Sequence, residues 1–408
     1  MNSKSKQFTG RHYETGALHN AFVMQGTKAP HTHKPYSEAF LLGISGGIAF
    51  GYFIFEYKGQ LPHLALLTRN TFDPFQTALE RLGVEQHILQ TNKANIAERN
   101  LAEALSTGNP ALVWADECSL PYSSKKGTAY WNMIPVLAYG MDGDDVLIAD
   151  RSCRPLRVPM DMLTQARARV KDDKFRIITL APPLTSKLVG ATQKGIWQCI
   201  SLFTDKPPKG ARHNFGFAAY EHFADMLTNT RNKQSWARLF PAGAKLYNAL
   251  VGTTEAKGVF APPGAFTWIQ TFGADNGAER ALYADFLDEA AILLEKGTIK
   301  EAAKRFRDSH SKWLEFADAL LPSNIPAFHE AKTLLLRKHQ SFIENGEDAA
   351  DEILEINTRL RKLEAGMAKN FPLTELQTTE FRTNLRQRVF EILETEKIAI
   401  EVLQSSMR

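Results

Sequence analysis

The chain has 408 residues, with 49 Lys and Arg against 45 Asp and Glu, and 44% of the residues are hydrophobic. This length and composition are those of a globular protein of two or three domains, and they exclude a disordered or fibrous protein. A net charge of +4 gives no support to a nucleic-acid partner. Three cysteines without a Cys-x-x-Cys pair exclude a disulfide scaffold and a cysteine-rich zinc module, and they indicate a reducing, cytoplasmic location.

The N-terminal segment is polar and basic, and it does not have the apolar stretch of a signal peptide. The longest apolar run, residues 39–55, contains Gly46 and Gly47 and is short for a membrane span. A buried element broken by a glycine turn is therefore the favoured interpretation. Backbone N–H groups in this turn would also suit an anion, although close packing is the stronger explanation of the glycines.

Up to residue 183, short apolar runs separated by turn signals predict strands. These runs cover residues 52–55, 64–67, 111–114, 134–139, 146–148 and 176–178, and helices are predicted over 73–82 and 95–105. A short Asp-Gly loop at 141–144 joins two of the runs and predicts a hairpin. We therefore expect an α+β first half that ends in an antiparallel sheet.

Beyond residue 184, the strand patterns end and apolar residues recur at helical spacing. The pattern predicts a helical second half, in which residues 252–277 form a long loop. The charged helices near the C-terminus would allow self-association into a homo-oligomer, although solvated helix faces are favoured. The predicted helices cover residues 281–294, 299–321, 327–343, 349–367 and 376–403.

Motifs for metal or nucleotide chemistry are absent from the sequence. His31 and His33 have a spacing that suits a metal on an extended segment, but a polar loop is the favoured interpretation. There is no His-Glu-x-x-His motif, no P-loop and no Gly-x-Ser-x-Gly elbow. We therefore predict no cofactor and no metal.

The three cysteines offer little thiol chemistry. Cys118 lies beside Asp116 and Glu117, whose charges would raise the pKa of its thiol, so a structural role is favoured. Cys153 is flanked by arginines, but no His lies near it along the chain. Cys199 lies in an apolar, helix-like stretch and is predicted to be buried.

Several short motifs follow one another in a characteristic order. The first half carries them at residues 11–20 (RHYETGALHN), 37–53 (SEAFLLGISGGIAFGYF), 72–75 (FDPF), 82–83, 108–110, 116, 120–122, 138–142 (AYGMD) and 146–150 (VLIAD). This order resembles the N-terminal domain of butirosin biosynthesis protein H, an acyltransferase. The second half is similar to the helical domain of unknown function that usually follows, through residues 215–216, 236, 279–290 and 313. The resemblance covers roughly residues 9–325.

The resemblance implies a papain-like cysteine-peptidase fold over residues 9–184, a helical domain of unknown function over 185–325 and a helical C-terminal extension over 326–408. In butirosin biosynthesis, such a domain moves an acyl group from a carrier-protein thioester to an aminoglycoside amine. The chemistry needs a Cys at the start of the first helix, a His on a later strand, and an Asp or Asn that orients this His.

The chain departs from this pattern at two positions. Tyr13 stands where the family has Cys, and Asn132 lies on the strand where a His is expected, whereas Asp150 is retained in the orienting position. A phenol with a pKa near 10 does not replace a thiolate at neutral pH, and an amide does not accept and return a proton. A covalent cysteine mechanism is therefore not expected.

Three functions remain open. In the first, an acyl carrier protein or another thioester donates its acyl group directly to an amine, with His12, Glu14 and Asp116 as acid–base candidates. In the second, the papain-like half is catalytically inactive and recognises a peptide, a carrier protein or a metabolite. In the third, Cys118 or Cys153 is a relocated nucleophile. Convergence of His12, Glu14, Asp116 and Asp150 on one cleft would favour the first function. The residues expected to contact substrate are Gly46, Gly47, Tyr52 and Tyr122.

Overall fold

Two antiparallel sheets occupy the first half of the chain in the computed structural model, which describes residues 7–206 and 209–408. Strands β1 (Ile48–Phe55) and β2 (His63–Arg69) form a separate hairpin. The six-stranded sheet has the order β3-β8-β4-β5-β6-β7. Its strands are β3 (Gln86–Leu89), β4 (Ala111–Asp116), β5 (Met133–Asp142), β6 (Asp145–Ala149), β7 (Leu156–Pro159) and β8 (Ile177–Leu180).

All six predicted strands are confirmed, and two further strands were not predicted. Both of the latter, β3 and β7, have four residues and lie at the two edges of the large sheet. An edge strand pairs on one side only and buries less apolar surface, so its sequence carries a weaker pattern. The predicted hairpin is confirmed, because β5 and β6 pair directly across Asp142 and Asp145. Gly143 occupies the turn with a φ of 63°, a conformation that favours glycine.

Five helices lie among the strands of the first half. The helices are α1 (Thr15–Met24), α2 (Glu38–Ile44), α3 (Pro74–Leu82), α4 (Ala94–Ser106) and α5 (Met160–Ala168), and the predictions for α3 and α4 are confirmed. The apolar run 39–55 divides at the glycine turn into α2 and β1, as expected. None of the helices in the described ranges has both the length and the apolar character needed to span a bilayer.

The second half is helical, as predicted. Its helices are α6 (Leu188–Thr204), α7 (Gly216–Thr228), α8 (Trp236–Leu239), α9 (Ala244–Val251), α10 (Ala265–Gln270), α11 (Arg280–Leu293), α12 (Ile299–Leu320), α13 (Pro326–Asn345), α14 (Ala350–Met367) and α15 (Glu375–Met407). The prediction of an uninterrupted loop over 252–277 is wrong, because α10 forms within it. This helix has only six residues, too few for a helical period to stand out among the surrounding Gly and Pro. The chain is thus a mixed α/β protein with a sheet-containing first half and a helical second half.

Two hydrophobic cores hold the fold together. The smaller core lies between the six-stranded sheet and helices α4 and α5. The larger core joins α1, α2 and the β1–β2 hairpin to the helices of the second half. Within it, the Phe50 ring stacks on Tyr220 at 3.9 Å, and the Tyr52 ring stacks on Phe223 at 4.7 Å. The hairpin therefore packs on the helical half as well as on its own half.

Helix α13 docks on the segment that follows β6. The backbone N–H of Cys153 donates to the carbonyl of Ile343 at 2.7 Å, and the Arg154 Nε donates to the carbonyl of Glu344 at 2.9 Å. These bonds hold the C-terminal end of α13 beside the end of β6. They place this helix over the part of the sheet where Asp150 lies.

Candidate active site

A buried carboxylate organises the turn that precedes α1. Glu38 accepts hydrogen bonds from the backbone N–H of Arg11 at 2.7 Å, from that of His12 at 2.9 Å and from the Thr15 hydroxyl at 2.9 Å. Burial raises the pKa of Glu38, and these three hydrogen bonds oppose that rise because they favour the carboxylate. The turn therefore holds Tyr13 and Glu14 in fixed positions at the start of α1.

Tyr13 lines a cavity of about 200 Å³ between the large sheet and the C-terminal helices. Asn132 lies in the same wall, immediately before β5. The opposite walls come from residues 251–255 and 261–263, from Phe272, and from α13. The two positions at which the resemblance predicts a Cys and a His thus face one cavity.

A network of charged groups ties Asn132 in place. Glu117 accepts from Asn132 Nδ2 at 2.9 Å, from Lys125 Nζ at 2.8 Å and from Arg151 Nη2 at 3.0 Å. Burial by itself would raise the pKa of Glu117, but the charges of Lys125 and Arg151, with the hydrogen bonds from Lys125 and Asn132, hold this pKa well below its usual value. Glu117 is therefore ionised at neutral pH, and the Asn132 amide is held by its hydrogen bond to this carboxylate.

Asp150 reaches this network through Arg151. Its carboxylate accepts from Arg151 Nε at 2.8 Å, from Arg151 Nη2 at 2.9 Å and from the Tyr122 hydroxyl at 3.0 Å. Asp150 therefore orients an arginine, where the family pattern expects it to orient a histidine. The Tyr122 hydroxyl is buried against Asp150, and Tyr122 does not line the cavity. The prediction that Tyr122 contacts substrate is therefore not met at this cavity.

The environment of Tyr13 disfavours a phenolate. Its ring lies 4.0 Å from the His12 ring and 6.2 Å from the Phe272 ring, between centroids. Burial and the nearby Glu14 raise the pKa of the phenol above its ordinary value. Tyr13 therefore stays protonated at neutral pH and does not serve as a nucleophile.

A second, smaller cavity of about 100 Å³ lies on the other side of Tyr13. Tyr13 and Phe272 line both cavities, and Glu14 lines only the smaller one. Burial raises the pKa of the Glu14 carboxyl to about 7, against the opposing charge of Arg69. A carboxyl group with this pKa is matched to proton transfer near neutral pH.

The other two acid–base candidates lie outside both cavities. His12 is buried; its Nδ1 accepts from the backbone N–H of Glu14 at 3.2 Å, and its Nε2 has no hydrogen-bond partner among the described residues. Asp116 accepts from the backbone N–H of Cys118 at 3.3 Å and from the Ser119 hydroxyl at 2.7 Å. Both residues therefore have structural contacts. His12, Glu14, Asp116 and Asp150 do not converge on one cleft, so the arrangement that would have favoured acyl transfer is not present and its acid–base candidates reduce to Glu14.

The glycine turn and Tyr52 also lie away from the cavities, in the larger core. A Cβ on Gly46 would lie 2.6 Å from Asn70 Nδ2, and a Cβ on Gly47 would lie 2.6 Å from the Tyr283 ring. The Tyr52 hydroxyl accepts from Trp236 Nε1 at 3.1 Å. These residues serve close packing, which was the favoured explanation of the glycines, and they do not contact a ligand in either cavity.

His339 is a cavity residue that no sequence pattern indicated. It projects from α13 into the larger cavity, and burial together with the charges of Arg151 and Arg11 lowers its pKa to about 4. The imidazole is therefore neutral at pH 7. Its helix carries no local motif, and only the docking of α13 brings it near Tyr13.

The cysteines do not supply a nucleophile to either cavity. Cys118 and Cys199 are buried, and burial raises the pKa of both thiols, that of Cys199 to about 12. Cys153 is half-buried, and its Sγ accepts from Arg11 Nη2 at 2.8 Å. It does not line either cavity, although Arg11 does.

Within the described ranges, no three His, Cys, Asp or Glu side chains come together in a way that suits a metal ion. His31 Nε2 lies 3.3 Å from Glu289 Oε2, and His33 is exposed in the loop before α2. The favoured interpretation of the two histidines as a polar loop agrees with this placement.

Tyr13 and Asn132 line one cavity, and Asp150 lies behind its wall, bound to Arg151. This arrangement is the basis for a comparison with known proteins. Residues 12–151 match the family model of butirosin biosynthesis protein H, N-terminal. The resemblance is confirmed for this segment. The segment begins at the turn before α1 and ends just after β6, so it contains all three of these positions. A search of curated proteins found no match to the chain. The family indicates a biosynthetic, enzyme-like protein.

Proposed function

We propose that the chain transfers an acyl group from a thioester to an amine by direct aminolysis, without a covalent enzyme intermediate. The observation that carries this proposal is the meeting of two cavities at Tyr13 and Phe272, one of them lined by Glu14. A two-substrate transfer needs two binding spaces that approach each other at the reacting bond. The larger cavity suits the acyl donor, and the smaller one suits the amine.

Glu14 takes the role of general base in this proposal. The amine nitrogen attacks the thioester carbonyl carbon and loses a proton to the Glu14 carboxylate. The C–S bond then breaks, a C–N bond remains, and the thiolate that leaves is protonated to a thiol. A carboxyl whose pKa is about 7 is partly ionised at neutral pH and both accepts and returns this proton.

A thioester is already activated, so the missing nucleophile does not prevent transfer. The phenol of Tyr13 is protonated, and the Asn132 amide is bound to Glu117. Proximity of the two substrates and the polar groups around them supply the rate enhancement instead. This mechanism, which has no covalent enzyme intermediate, differs from the Cys and His chemistry that the family resemblance implies.

The proposal includes the wider assignments that the resemblance implies. They are a papain-like half at residues 9–184, a helical domain at 185–325 and a helical extension at 326–408. The donor is an acyl carrier protein or another acyl thioester, and the acceptor is an amine. The expected location of this chemistry is the cytoplasm.

Incubation with acyl thioesters and a panel of amines tests the proposal. Thiol release and amide mass report turnover, and the wild-type protein is expected to form amide above the uncatalysed rate. Glu14→Gln is expected to lower the turnover rate by about a hundredfold or more, because it removes the base. Glu103→Gln, at an exposed position on α4, is the matched control and is expected to leave turnover unchanged. Absence of amide above background with folded wild-type protein would contradict the proposal.

The second candidate is a binding module without turnover. Two observations favour it. The Asn132 amide is hydrogen-bonded to Glu117, and no cysteine is among the residues that line the two cavities. Here the larger cavity recognises a peptide, a carrier protein or a metabolite. Saturable binding of a carrier thioester that releases no thiol would support this function. A turnover that Glu14→Gln abolishes without unfolding the protein would exclude it.

A further inference from the structure

The larger cavity carries an excess of positive charge. Its lining includes four cationic side chains and two carboxylates. Glu117 pairs with Lys125 and Arg151, and Glu255 pairs with Lys338. Arg151 also pairs with Asp150, which lies behind the wall. Arg11 is the remaining cation, and no carboxylate among the described residues lies within ion-pair distance of it.

Arg11 is nevertheless held firmly. Its Nη1 donates to the carbonyls of Phe8 at 3.1 Å, Gly10 at 3.0 Å and Arg151 at 3.2 Å, and its Nη2 donates to Cys153 Sγ. A guanidinium has five N–H donors. The Nε–H and the second Nη2 hydrogen have no acceptor among the described residues. A preorganised guanidinium with spare donors beside a cavity suits a planar or tetrahedral anion.

His339 lies in the same cavity, and its pKa is sensitive to the positive charge there. Its ring makes no hydrogen bond with the described residues, and the charges of Arg151 and Arg11 add to burial in lowering its pKa. The charged side chains that line the cavity with it are Arg11 from the turn before α1, Glu117 and Lys125 after β4, Arg151 after β6, Glu255 in the loop after α9, and its neighbour Lys338. A neutral imidazole in this place donates one more hydrogen bond to an anion.

We propose that the larger cavity recognises an anionic group of its ligand, a carboxylate or a phosphate, at Arg11 with His339 beside it. The anion neutralises the unpaired guanidinium and uses its spare donors. This recognition does not depend on acyl transfer. Arg11 would bind the anionic group of an acyl donor and that of a ligand that is bound without turnover in the same way. The proposal can therefore be tested separately from the proposed function.

Calorimetric titration with two probes tests the proposal and distinguishes the sources of the anion. Inorganic phosphate stands for a phosphate-bearing ligand and butyrate for a carboxylate. At least one of them is expected to bind saturably to the wild-type protein. Arg11→Gln is expected to weaken this binding about tenfold to a hundredfold, because it removes a charge-assisted contact. Arg99→Gln, at an exposed position on α4, is the control and is expected to bind the probe as the wild type does.

The His339 resonances locate the binding. A bound anion is expected to raise the pKa of His339 in an NMR titration, since it opposes the charge of the arginines. If Arg11→Gln does not fold, Arg11→Lys replaces it; that variant keeps the charge but loses the fork of donors, and severalfold weaker binding is expected. The proposal is overturned if neither anion binds the wild type saturably, if binding leaves His339 unaffected, or if the folded Arg11 variant binds as tightly as the wild type.

Discussion

Asn132 donates through its Nδ2 to the Glu117 carboxylate at 2.9 Å. The side chain at the position where the resemblance predicts a His is therefore hydrogen-bonded to a carboxylate that also binds Lys125 and Arg151. A fixed electrostatic network thus occupies the place where the resemblance predicts a proton-transfer group. This network and other buried groups of the protein lead to four predictions.

Glu117→Gln is expected to destabilise the protein by about 2–4 kcal/mol at pH 7, because it leaves Lys125 and Arg151 without their shared carboxylate. The pKa of Glu117 is lower in the folded state than in the unfolded chain, so the carboxylate stabilises the fold above the unfolded pKa. This stabilisation is lost as the pH falls below about 4.5. Urea unfolding at pH 7 and pH 3 measures the effect, and the difference between variant and wild type is expected to shrink at pH 3. An equal difference at both pH values would contradict the assignment.

Glu14 gives the opposite dependence on pH. Because burial raises its folded pKa to about 7, the protonated form is favoured in the folded state, and the stability that this residue contributes is lost as the pH rises from the unfolded pKa through 7. Glu14→Gln does not titrate and therefore avoids this loss. The unfolding free energy of the variant minus that of the wild type is expected to be about 2 kcal/mol larger at pH 8 than at pH 5. Thermal unfolding across this pH range measures the effect, with Glu103→Gln as the control. If the wild type and Glu14→Gln follow parallel stability curves, Glu14 does not titrate near neutral pH.

The three cysteines are expected to differ in reactivity. Cys153 is half-buried and lies beside the Arg11 guanidinium, whereas burial raises the pKa of the Cys118 and Cys199 thiols. Iodoacetamide at neutral pH is therefore expected to alkylate Cys153 first, as followed by mass spectrometry of peptides. Faster labelling of Cys118 would restore it as a candidate nucleophile. If neither Cys118 nor Cys153 reacts quickly, the possibility of a relocated nucleophile is excluded.

A buried ion pair joins α11 to α15. Arg280 Nε donates to Glu396 at 2.7 Å, and Glu396 also accepts from Tyr220 at 2.6 Å, from Ser309 at 2.8 Å and from Trp313 at 2.9 Å. Glu396→Gln leaves Arg280 as an uncompensated buried charge and is expected to cost about 3–5 kcal/mol. Urea midpoints measure this cost. Glu394→Gln, at an exposed position on the same helix, is expected to leave the midpoint unchanged, and equal midpoints for both variants would show that the pair contributes little.

Much of the secondary structure was predictable because it depends on local patterns. The apolar runs of β1, β2, β4, β5, β6 and β8 and the periodic residues of the long helices indicate their elements directly. Several elements were not predicted individually, among them α5 and α7–α9, and also the edge strands β3 and β7 and the short helix α10, which have too few residues to show a clear pattern. Helix α13 was predicted, but nothing in its pattern indicated which part of the sheet it covers.

The order of motifs by itself indicated a resemblance to butirosin biosynthesis protein H, which the family model matches over residues 12–151, and it predicted that Tyr13 and Asn132 stand where that family has Cys and His. The tertiary structure alone decided which candidates face a cavity. It placed Glu14 in the smaller cavity and gave His12 and Asp116 structural contacts. It also brought Phe272 and His339 from distant segments to the cavity that Tyr13 lines. The reason is physical: identity and order are properties of the chain, whereas burial, charge neutralisation and pKa arise from neighbours that only folding assembles.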